Sequence, residues 1–197
     1  IDSPDSRMKI ITWNLVLRSG NGKYYCYIIR KGGRKSQNTV YELTREYNND
    51  PLKKDFVYDQ DSWYGALYYN IIPFRSQRTV HYALLGISYG STRVSRKVIE
   101  ILSFNPEGKP VFGSECLMKE NTSMMREVFE YSAEGVMTLR RYSPRMIVFD
   151  HLDAYSGGHE SNYESYGPGL YFDGYVFKKG AWHFTENVDV KNKKNQP

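Results

Sequence analysis

The sequence is poor in cysteine and in long apolar runs. No segment approaches the roughly 20 consecutive apolar residues that a membrane-spanning helix requires. The two cysteines, Cys26 and Cys116, stand in separate apolar segments, which favours two buried free thiols and leaves a single bridge as the alternative. A chain of 197 residues buries about 70% of its unfolded surface, so its core needs no disulfide or metal. We expect no cofactor.

A concentration of positive charge is also missing. The formal net charge is +5, but most basic residues are scattered and have Asp or Glu nearby, except in the tail from Lys191 to Lys194. A nucleic-acid binder usually carries a basic stripe on one face, so we expect no nucleic-acid partner. The partner that we expect is an unidentified small ligand or a protein.

Alanine is scarce, whereas the sequence has 18 Tyr, 9 Phe and 3 Trp. Tyrosine and phenylalanine suit the half-buried surface of a pleated sheet, so this composition favours strands over helices. The pattern of short apolar segments and turns predicts an all-β fold: an antiparallel meander of about eleven strands that forms a barrel or a two-sheet sandwich, with minimal helix. We expect one β domain over residues 8–190, a flexible leader at 1–7 and a basic frayed tail at 191–197.

Two segments carry the strongest strand patterns. Residues 128–152 are interrupted at positions 142–145, where Pro144 suits a turn, and this predicts two strands folded against each other. The segment 10–17 alternates regularly. Its larger apolar side chains share one face: Ile11, Trp13, Leu15 and Leu17. Thr12 and Asn14 lie on the other face.

Short motifs occur along much of the chain. They are Trp63–Tyr69, Tyr82–Gly86, Lys109–Gly113, Val128–Ala133, Ile147–Leu152, Tyr166–Gly169 and the segment Phe177–Val190. Together they resemble a family of uncharacterised, β-rich exported bacterial proteins. The resemblance implies a location in the periplasm or at the cell surface and implies no reaction. The sequence begins at Ile1 and continues with polar residues, which fits removal of a targeting segment; we expect membrane association only through such a removed N-terminal anchor.

Residues 86–90 match the G-x-S-x-G pattern of α/β-hydrolases, in which the serine, here Ser88, is the nucleophile. The acid and the base would follow in the order of that fold: Asp150 or Asp153, then His159 or His183. The chemistry requires Ser88 on a sharp turn between a strand and a helix, and the residues after Ser88 are weak helix formers. We therefore prefer a glycine-rich turn between two strands.

Residues 150–160 concentrate imidazoles and carboxylates. The candidate metal ligands are His151, Asp153, His159 and Glu160, since histidine and carboxylate side chains commonly bind zinc. Their spacing matches no zinc pattern, so the alternative is a strand end followed by an acidic loop. On that alternative, His151 is at least half buried and is held by a hydrogen bond.

The longest loop, residues 153–169, is rich in Gly, Ser, Tyr and Glu. Loops of more than about 15 residues are often functional. The candidate ligand-binding residues in and beside it are Tyr155, Asn162, Tyr163, Tyr166, Tyr171 and Asp173. Exposed tyrosines offer a large contact area with a polar tip, which suits sugars, peptides or a protein partner. The alternative is that these rings cap the open end of the core.

Three functions follow from these observations. The leading hypothesis is a non-catalytic exported binding or interaction module that uses the aromatic loop. The first alternative is a carrier of a small apolar ligand in the interior of a β-barrel. The second alternative is a hydrolase that uses Ser88 or a metal site at His151 and His159.

Overall fold

The computed structural model describes residues 1–18, 22–33, 36–47, 50–89, 93–155 and 163–190; the predicted tail lies outside them. The strands in this part of the chain are β1 (Met8–Val16), β2 (Gly22–Arg30), β3 (Thr39–Glu46), β4 (Leu67–Ser76), β5 (Thr79–Ile87), β6 (Val94–Phe104), β7 (Pro110–Phe112), β8 (Leu117–Lys119), β9 (Thr122–Met124), β10 (Arg126–Ser132), β11 (Leu139–Ser143), β12 (Met146–Ala154), β13 (Tyr166–Lys178) and β14 (Ala181–Thr185). One 3₁₀ helix, η1, spans Tyr163–Ser165. The all-β class is confirmed, but the sequence-based count of about eleven strands was too low.

The described strands form three open sheets and no closed barrel. The first sheet has the order β1-β2-β3. The middle sheet has the order β10-β6-β5-β4, with β7 paired to the end of β6, and the third sheet has the order β11-β12-β13-β14-β8-β9. Neighbouring strands are antiparallel except β14 and β8, which are parallel. The prediction of an all-β fold was therefore correct, but the predicted arrangement of the strands as one meander in a barrel or a two-sheet sandwich was wrong.

The three sheets pack as layers with a hydrophobic core on each face of the middle sheet. The first core lies between the first and middle sheets and includes Met8, Ile10, Tyr24, Cys26, Ile28, Leu43, Tyr82, Leu84 and Val98. The second core lies between the middle and third sheets and includes Ala83, Leu85, Ile99, Ile101, Phe129, Ile147, Phe149, Tyr175 and Trp182. Successive residues of β5 enter opposite cores, because side chains of a strand alternate between faces. This explains why β5 is buried almost without interruption.

The predicted hairpin at Pro144 is confirmed for β11 and β12, which pair antiparallel, but the earlier part of the segment 128–152 forms a separate strand in another sheet. β10 pairs with β6 in the middle sheet, whereas β12 pairs with β11 and β13 in the third sheet. The turn at Pro144 joins β11 to β12. Sequence periodicity reports which residues form strands and carries little information on which strands become partners.

The additional strands are short, and one of their turns lacks the usual signal. β8 and β9 have three residues each and are joined through Glu120 and Asn121, whose φ angles are 49° and 64°. Positive φ at both central positions is typical of a two-residue hairpin turn and is usually met by glycine. Because neither residue is glycine, the sequence gives no clear hairpin signal here.

The regular apolar face of β1 is the solvent-exposed face of the first sheet. Trp13 is 43% exposed and Ile11 is 44% exposed, whereas the neighbouring Ile10 is 1% exposed. The side chains that alternate with Ile11 and Trp13 face the core instead: Met8 and Ile10 are buried, and Thr12 and Asn14 are half-buried. Alternation thus identified the two faces of the strand, but hydrophobicity alone does not show which of them is buried.

Hydrogen bonds hold residues 1–7, the predicted flexible leader, against β1. The Ser3 N–H donates to the Met8 carbonyl at 2.8 Å, and the Ile10 N–H donates to the Ile1 carbonyl at 2.9 Å. The two cysteines are free and buried, and they belong to different cores on opposite sides of the middle sheet. The alternative of a Cys26–Cys116 bridge is therefore wrong for this fold.

An ion pair is fully buried beside the first core. Nε of Arg126 donates to Oε2 of Glu100 at 2.8 Å, and both side chains are completely buried. The same guanidinium donates to the carbonyls of Lys53 and Phe112, while the Ile101 N–H donates to Oε1 of Glu100. Such a pair is tolerated in a core because nearly all of its hydrogen-bonding groups have partners.

Candidate functional site

His151 and Asp173 form a hydrogen-bonded pair on the neighbouring strands β12 and β13. Nδ1 of His151 lies 2.7 Å from Oδ2 of Asp173, and because a carboxylate only accepts, the imidazole donates. The second Asp173 oxygen accepts the Asn187 N–H at 3.0 Å, and Asp173 is almost fully buried. His151 is half-buried, so its predicted burial and its predicted hydrogen bond are confirmed.

A bulge positions the aromatic neighbour of His151. Between the pairs formed by Asp150 and Leu152, β12 advances by two residues and β13 by four, from Phe172 to Pro168. The Tyr171 ring stacks on the imidazole, with ring centroids 4.3 Å apart and planes 25° apart. Asp173 and Tyr171 together fix the imidazole. Its second nitrogen, Nε2, lies 3.6 Å from Oδ1 of Asp153, whose side chain is 56% exposed.

Tyr155 continues the same ribbon toward the loop. Two glycines of β13 make room for its neighbours: the distal end of the Tyr155 ring lies over Gly167, and the Asp153 carboxylate lies over Gly169. A side chain at either glycine would collide with these groups. The backbone of Tyr155 is held by a 2.6 Å hydrogen bond from its N–H to the Ser165 carbonyl.

The other predicted tyrosines lie at the start of β13. Tyr163 is exposed at the first position of η1, and its ring centroid lies 6.5 Å from that of Tyr166, which is half-buried against the second core. Asn162 lies outside the described residues. We name the group His151, Asp153, Tyr155 and Tyr171 the aromatic rim, and Asp173 supports it from the buried side. Tyr163 contacts Tyr166, and Tyr166 belongs mainly to the core, as the alternative interpretation expects.

The aromatic rim is acidic. Partial burial and then the charges of Asp153, Asp173 and Glu186 raise the pKa of Tyr171. Carboxylates near a phenol have this effect because they disfavour the phenolate anion. The rim therefore presents aromatic surface together with hydrogen-bond acceptors.

The predicted metal ligands are only partly placed. His151 and Asp153 are in contact, whereas His159 and Glu160 lie outside the described residues. Within the described part of the chain, no three His, Cys, Asp or Glu side chains form a group that would hold a metal ion.

Ser88 stands in a connection between two antiparallel strands. It follows β5 and precedes β6, it is buried, and its N–H donates to the Arg96 carbonyl at 2.9 Å. It lines a cleft of about 260 Å³ together with tyrosine and arginine side chains, among them Tyr24, Tyr64 and Arg96. His183 is on β14 in the third sheet, on the far side of the middle layer. The strand-to-helix elbow of the hydrolase hypothesis is thus replaced by a strand-to-strand connection.

The first sheet carries an aromatic cluster that the sequence did not identify as a surface. Trp13 stacks with Tyr25 and Tyr27 at centroid distances of 5.1 and 5.6 Å and interplanar angles of 8° and 7°. A hydrogen bond to the Glu42 carboxylate raises the pKa of Tyr27. The signal in the sequence was Tyr25 and Tyr27 two positions apart, which places both on one face of β2.

Comparisons with protein-family models, with curated proteins and with solved structures find no match to this chain. The resemblance to exported bacterial proteins therefore stays an expectation from the sequence. Among the described residues, no helix has the length and apolar character needed to cross a membrane.

Proposed function

We propose that the protein is a non-catalytic binding module, exported to the periplasm or cell surface, that binds a hydroxyl-rich ligand such as a glycan at the aromatic rim. The observation that carries this proposal is the alternation of ring and carboxylate along one ribbon: Tyr155, Asp153, His151 and Tyr171. Export is supported by the sequence resemblance alone.

The two kinds of side chain match two parts of a sugar. Exposed tyrosine rings give an apolar surface for the C–H face of a pyranose, and the ring hydroxyl remains available for hydrogen bonds. Tyr155 and Tyr171 are both more than a third exposed. The carboxylate of Asp153 accepts hydrogen bonds from hydroxyl groups, and such charge-assisted bonds are stronger than neutral ones.

The rim is held in place before any ligand arrives. The imidazole of His151 is fixed by Asp173 on one edge and by Tyr171 on one face, and the Tyr155 backbone is fixed by Ser165. A side chain that is already ordered loses little conformational entropy on binding, so more of the contact energy appears as affinity.

The position of Asp173 favours binding over hydrolysis at this rim. Glycoside hydrolysis requires two carboxyl groups that flank the scissile bond. Asp173 is almost fully buried, and both of its oxygens accept hydrogen bonds within the protein, from His151 and Asn187. Of the two aspartates beside His151, only Asp153 has an exposed side chain, so these two do not form the pair of accessible carboxyl groups that hydrolysis requires.

The two alternative functions have less structural support. A carrier would hold its ligand inside a closed barrel, and the described strands form three open sheets. A serine hydrolase would need the elbow that the connection at Ser88 does not form.

The proposal is tested by glycan-array screening followed by calorimetric titration of the best oligosaccharide. Replacing Tyr171 or Tyr155 by Ala is expected to weaken binding by about tenfold or more, since each removes an aromatic contact worth about 1–3 kcal/mol at a binding site. Tyr89→Ala is the matched control, because Tyr89 is similarly exposed but lies at the Ser88 cleft. Failure of all glycans to bind, or equal weakening by the control, would reject the rim as a glycan site.

A further inference from the structure

A second cleft, separate from the aromatic rim, lies where the first and middle sheets meet. It has a volume of about 590 Å³, within the range of small-ligand sites. Arg30 at the end of β2 and Lys31 after it form one wall, and Arg7, directly before β1, lies beside them. Tyr82 of β5 and Phe104 at the end of β6 supply aromatic surface. We name this space the basic cleft.

The three cations are brought together by strand pairing. Met8 is paired with Arg30, and the Lys31 N–H donates to the Arg7 carbonyl at 2.9 Å, so these residues lie side by side on neighbouring chain segments. Within the described residues, none of the three cationic side chains forms an ion pair. Like charges opposite each other on neighbouring antiparallel segments repel, so the position of Arg7 opposite Lys31 favours the binding of an anion here.

One carboxylate is close, and it does not neutralise the cluster. Oδ1 of Asp5 accepts hydrogen bonds from the Ser3 hydroxyl and the Arg7 N–H, and Oδ2 accepts one from the Tyr82 hydroxyl at 3.2 Å. Three positive charges against this one negative charge leave an excess of positive charge at the cleft. Burial and then the charge of Asp5 raise the pKa of Tyr82 to about 12, and Arg7 and Arg30 oppose this rise. Both guanidinium groups therefore act on the hydroxyl of Tyr82, a residue that lines the cleft.

The residues that line the cleft also indicate the chemistry of its ligand. The Arg30 guanidinium lies over the Phe104 ring, with its central carbon 4.5 Å from the ring centroid, and this contact orients the planar fork. Arginine forks bind phosphate and related oxyanions through two parallel hydrogen bonds. Val80, together with the part of the half-buried Phe104 ring that Arg30 leaves uncovered, gives an apolar surface for the part of a ligand beyond its anionic group.

We infer that the basic cleft binds a small ligand that carries a phosphoryl or sulfuryl group on an apolar or aromatic body. The anionic group lies between Arg7, Arg30 and Lys31, and the body packs on Val80 and Phe104. A phosphate monoester carries up to two negative charges and a sulfate ester carries one, so the phosphate ester binds more tightly of the two. The site is independent of the aromatic rim.

The inference is tested by NMR titration of ¹⁵N-labelled protein at low salt with phenyl phosphate, phenyl sulfate and inorganic phosphate. The expected result is saturable shifts of the Gly32 and Gly33 amides, with affinity falling in that order of probes and falling further as NaCl is added. Arg30→Gln and Arg7→Gln each weaken phenyl phosphate binding by at least about tenfold, since each removes a charged hydrogen-bonding group. Tighter binding of phenyl sulfate than of phenyl phosphate would keep the site and assign it to sulfate esters.

Two further variants separate a formed site from general attraction of anions. Arg140→Gln removes an exposed arginine of β11 in the third sheet and leaves the affinity unchanged if the site is real. Arg30→Lys keeps the charge and loses the fork, so it gives an intermediate affinity and also serves if Arg30→Gln fails to fold. Equal losses in the Arg140 and Arg30 variants, or no saturation by about 10 mM phenyl phosphate, would overturn the inference.

Discussion

The imidazole of His151 donates a 2.7 Å hydrogen bond to the carboxylate of Asp173, and Asp173 is buried while His151 reaches the surface. The pair therefore connects the packed interior of the third sheet to the aromatic rim. A buried carboxylate with both oxygens occupied fixes the ring above it, and the ring fixes Tyr171 in turn. Stability and binding are thus coupled at this point, and they can be separated by comparing the two neighbouring aspartates.

Asp173→Asn is expected to lower the free energy of unfolding by about 1–3 kcal/mol, because the amide cannot accept from both His151 and Asn187. Asp153→Asn is its matched control, since that side chain is largely exposed, and its effect is expected to stay within about 0.5 kcal/mol. Urea denaturation of both variants measures the difference. Equal destabilisation would contradict the assignment of Asp173 as the buried support of the rim.

Ile10 and Ile11 offer a direct test of which face of β1 is buried. Ile10→Ala is expected to cost about 2–5 kcal/mol, because it leaves a cavity in the first core. Ile11→Ala changes a side chain on the exposed face and is expected to cost about 0.5 kcal/mol or less. The two substitutions remove the same atoms from adjacent positions, so thermal or urea unfolding compares burial alone. A larger loss for Ile11→Ala would mean that this face is covered in solution.

The same strand shows how far the sequence predicts this fold. Alternation assigned the residues of β1 to two faces correctly, but the apolar face with Ile11 and Trp13 is exposed. The sequence also located the strand residues of the segment 128–152, yet β10 and β12 joined different sheets. Local periodicity reports backbone conformation, whereas sheet membership depends on contacts between distant parts of the chain. For the same reason no local pattern revealed the middle sheet, in which the side chains of β5 contribute alternately to the two cores.

The candidate sites also differ in whether their residues are close together or far apart in the sequence. His151, Asp153, Tyr155 and Tyr171 were found because they are close in sequence, and the bulge of β13 brings them together in space. The basic cleft was not found, because Arg7, Arg30 and Phe104 are distant in sequence and meet only after the sheets pack. Scattered charges in a sequence therefore do not exclude a cluster of charges in the folded protein.

The buried ion pair predicts a strong dependence on its partner. Arg126→Met leaves Glu100 in the core without its counter-ion and is expected to cost about 3–5 kcal/mol. The double variant Arg126→Met with Glu100→Leu removes both charges and is expected to be more stable than Arg126→Met alone. Urea denaturation of the single and double variants decides the point. A double variant as unstable as the sum of its two single variants would show that the residues act independently.

Gly167 predicts an effect on binding with little effect on folding. Gly167→Ala places a methyl group where the end of the Tyr155 ring lies, and that ring is exposed enough to move away. The expected result is weaker binding of the glycan identified by the array, with the free energy of unfolding changed by about 1 kcal/mol or less. Gly33→Ala is the control, because its added methyl group meets only the Ser36 hydroxyl at an ordinary distance. Unchanged glycan affinity in Gly167→Ala would remove Tyr155 from the proposed site.

His81 predicts a defined pH dependence of stability. Its ring is packed on Phe74 in β4, with centroids 5.5 Å apart, and burial lowers the pKa of His81 although the Thr79 carbonyl opposes this shift. In the unfolded chain the pKa returns to about 6.5, so the unfolded state binds a proton at a higher pH than the folded state. The contribution of the neutral His81 ring to the free energy of unfolding is therefore complete above about pH 6.5, and it is lost as the pH falls through the lower pKa of His81 in the folded protein.

The substitution His81→Phe keeps the ring contact with Phe74 and removes the titrating group. Urea midpoints at about pH 8 and about pH 5 are expected to differ less in this variant than in the wild type, because contributions from the other groups cancel between the two proteins. An equal or larger difference in His81→Phe would show that His81 does not carry this dependence.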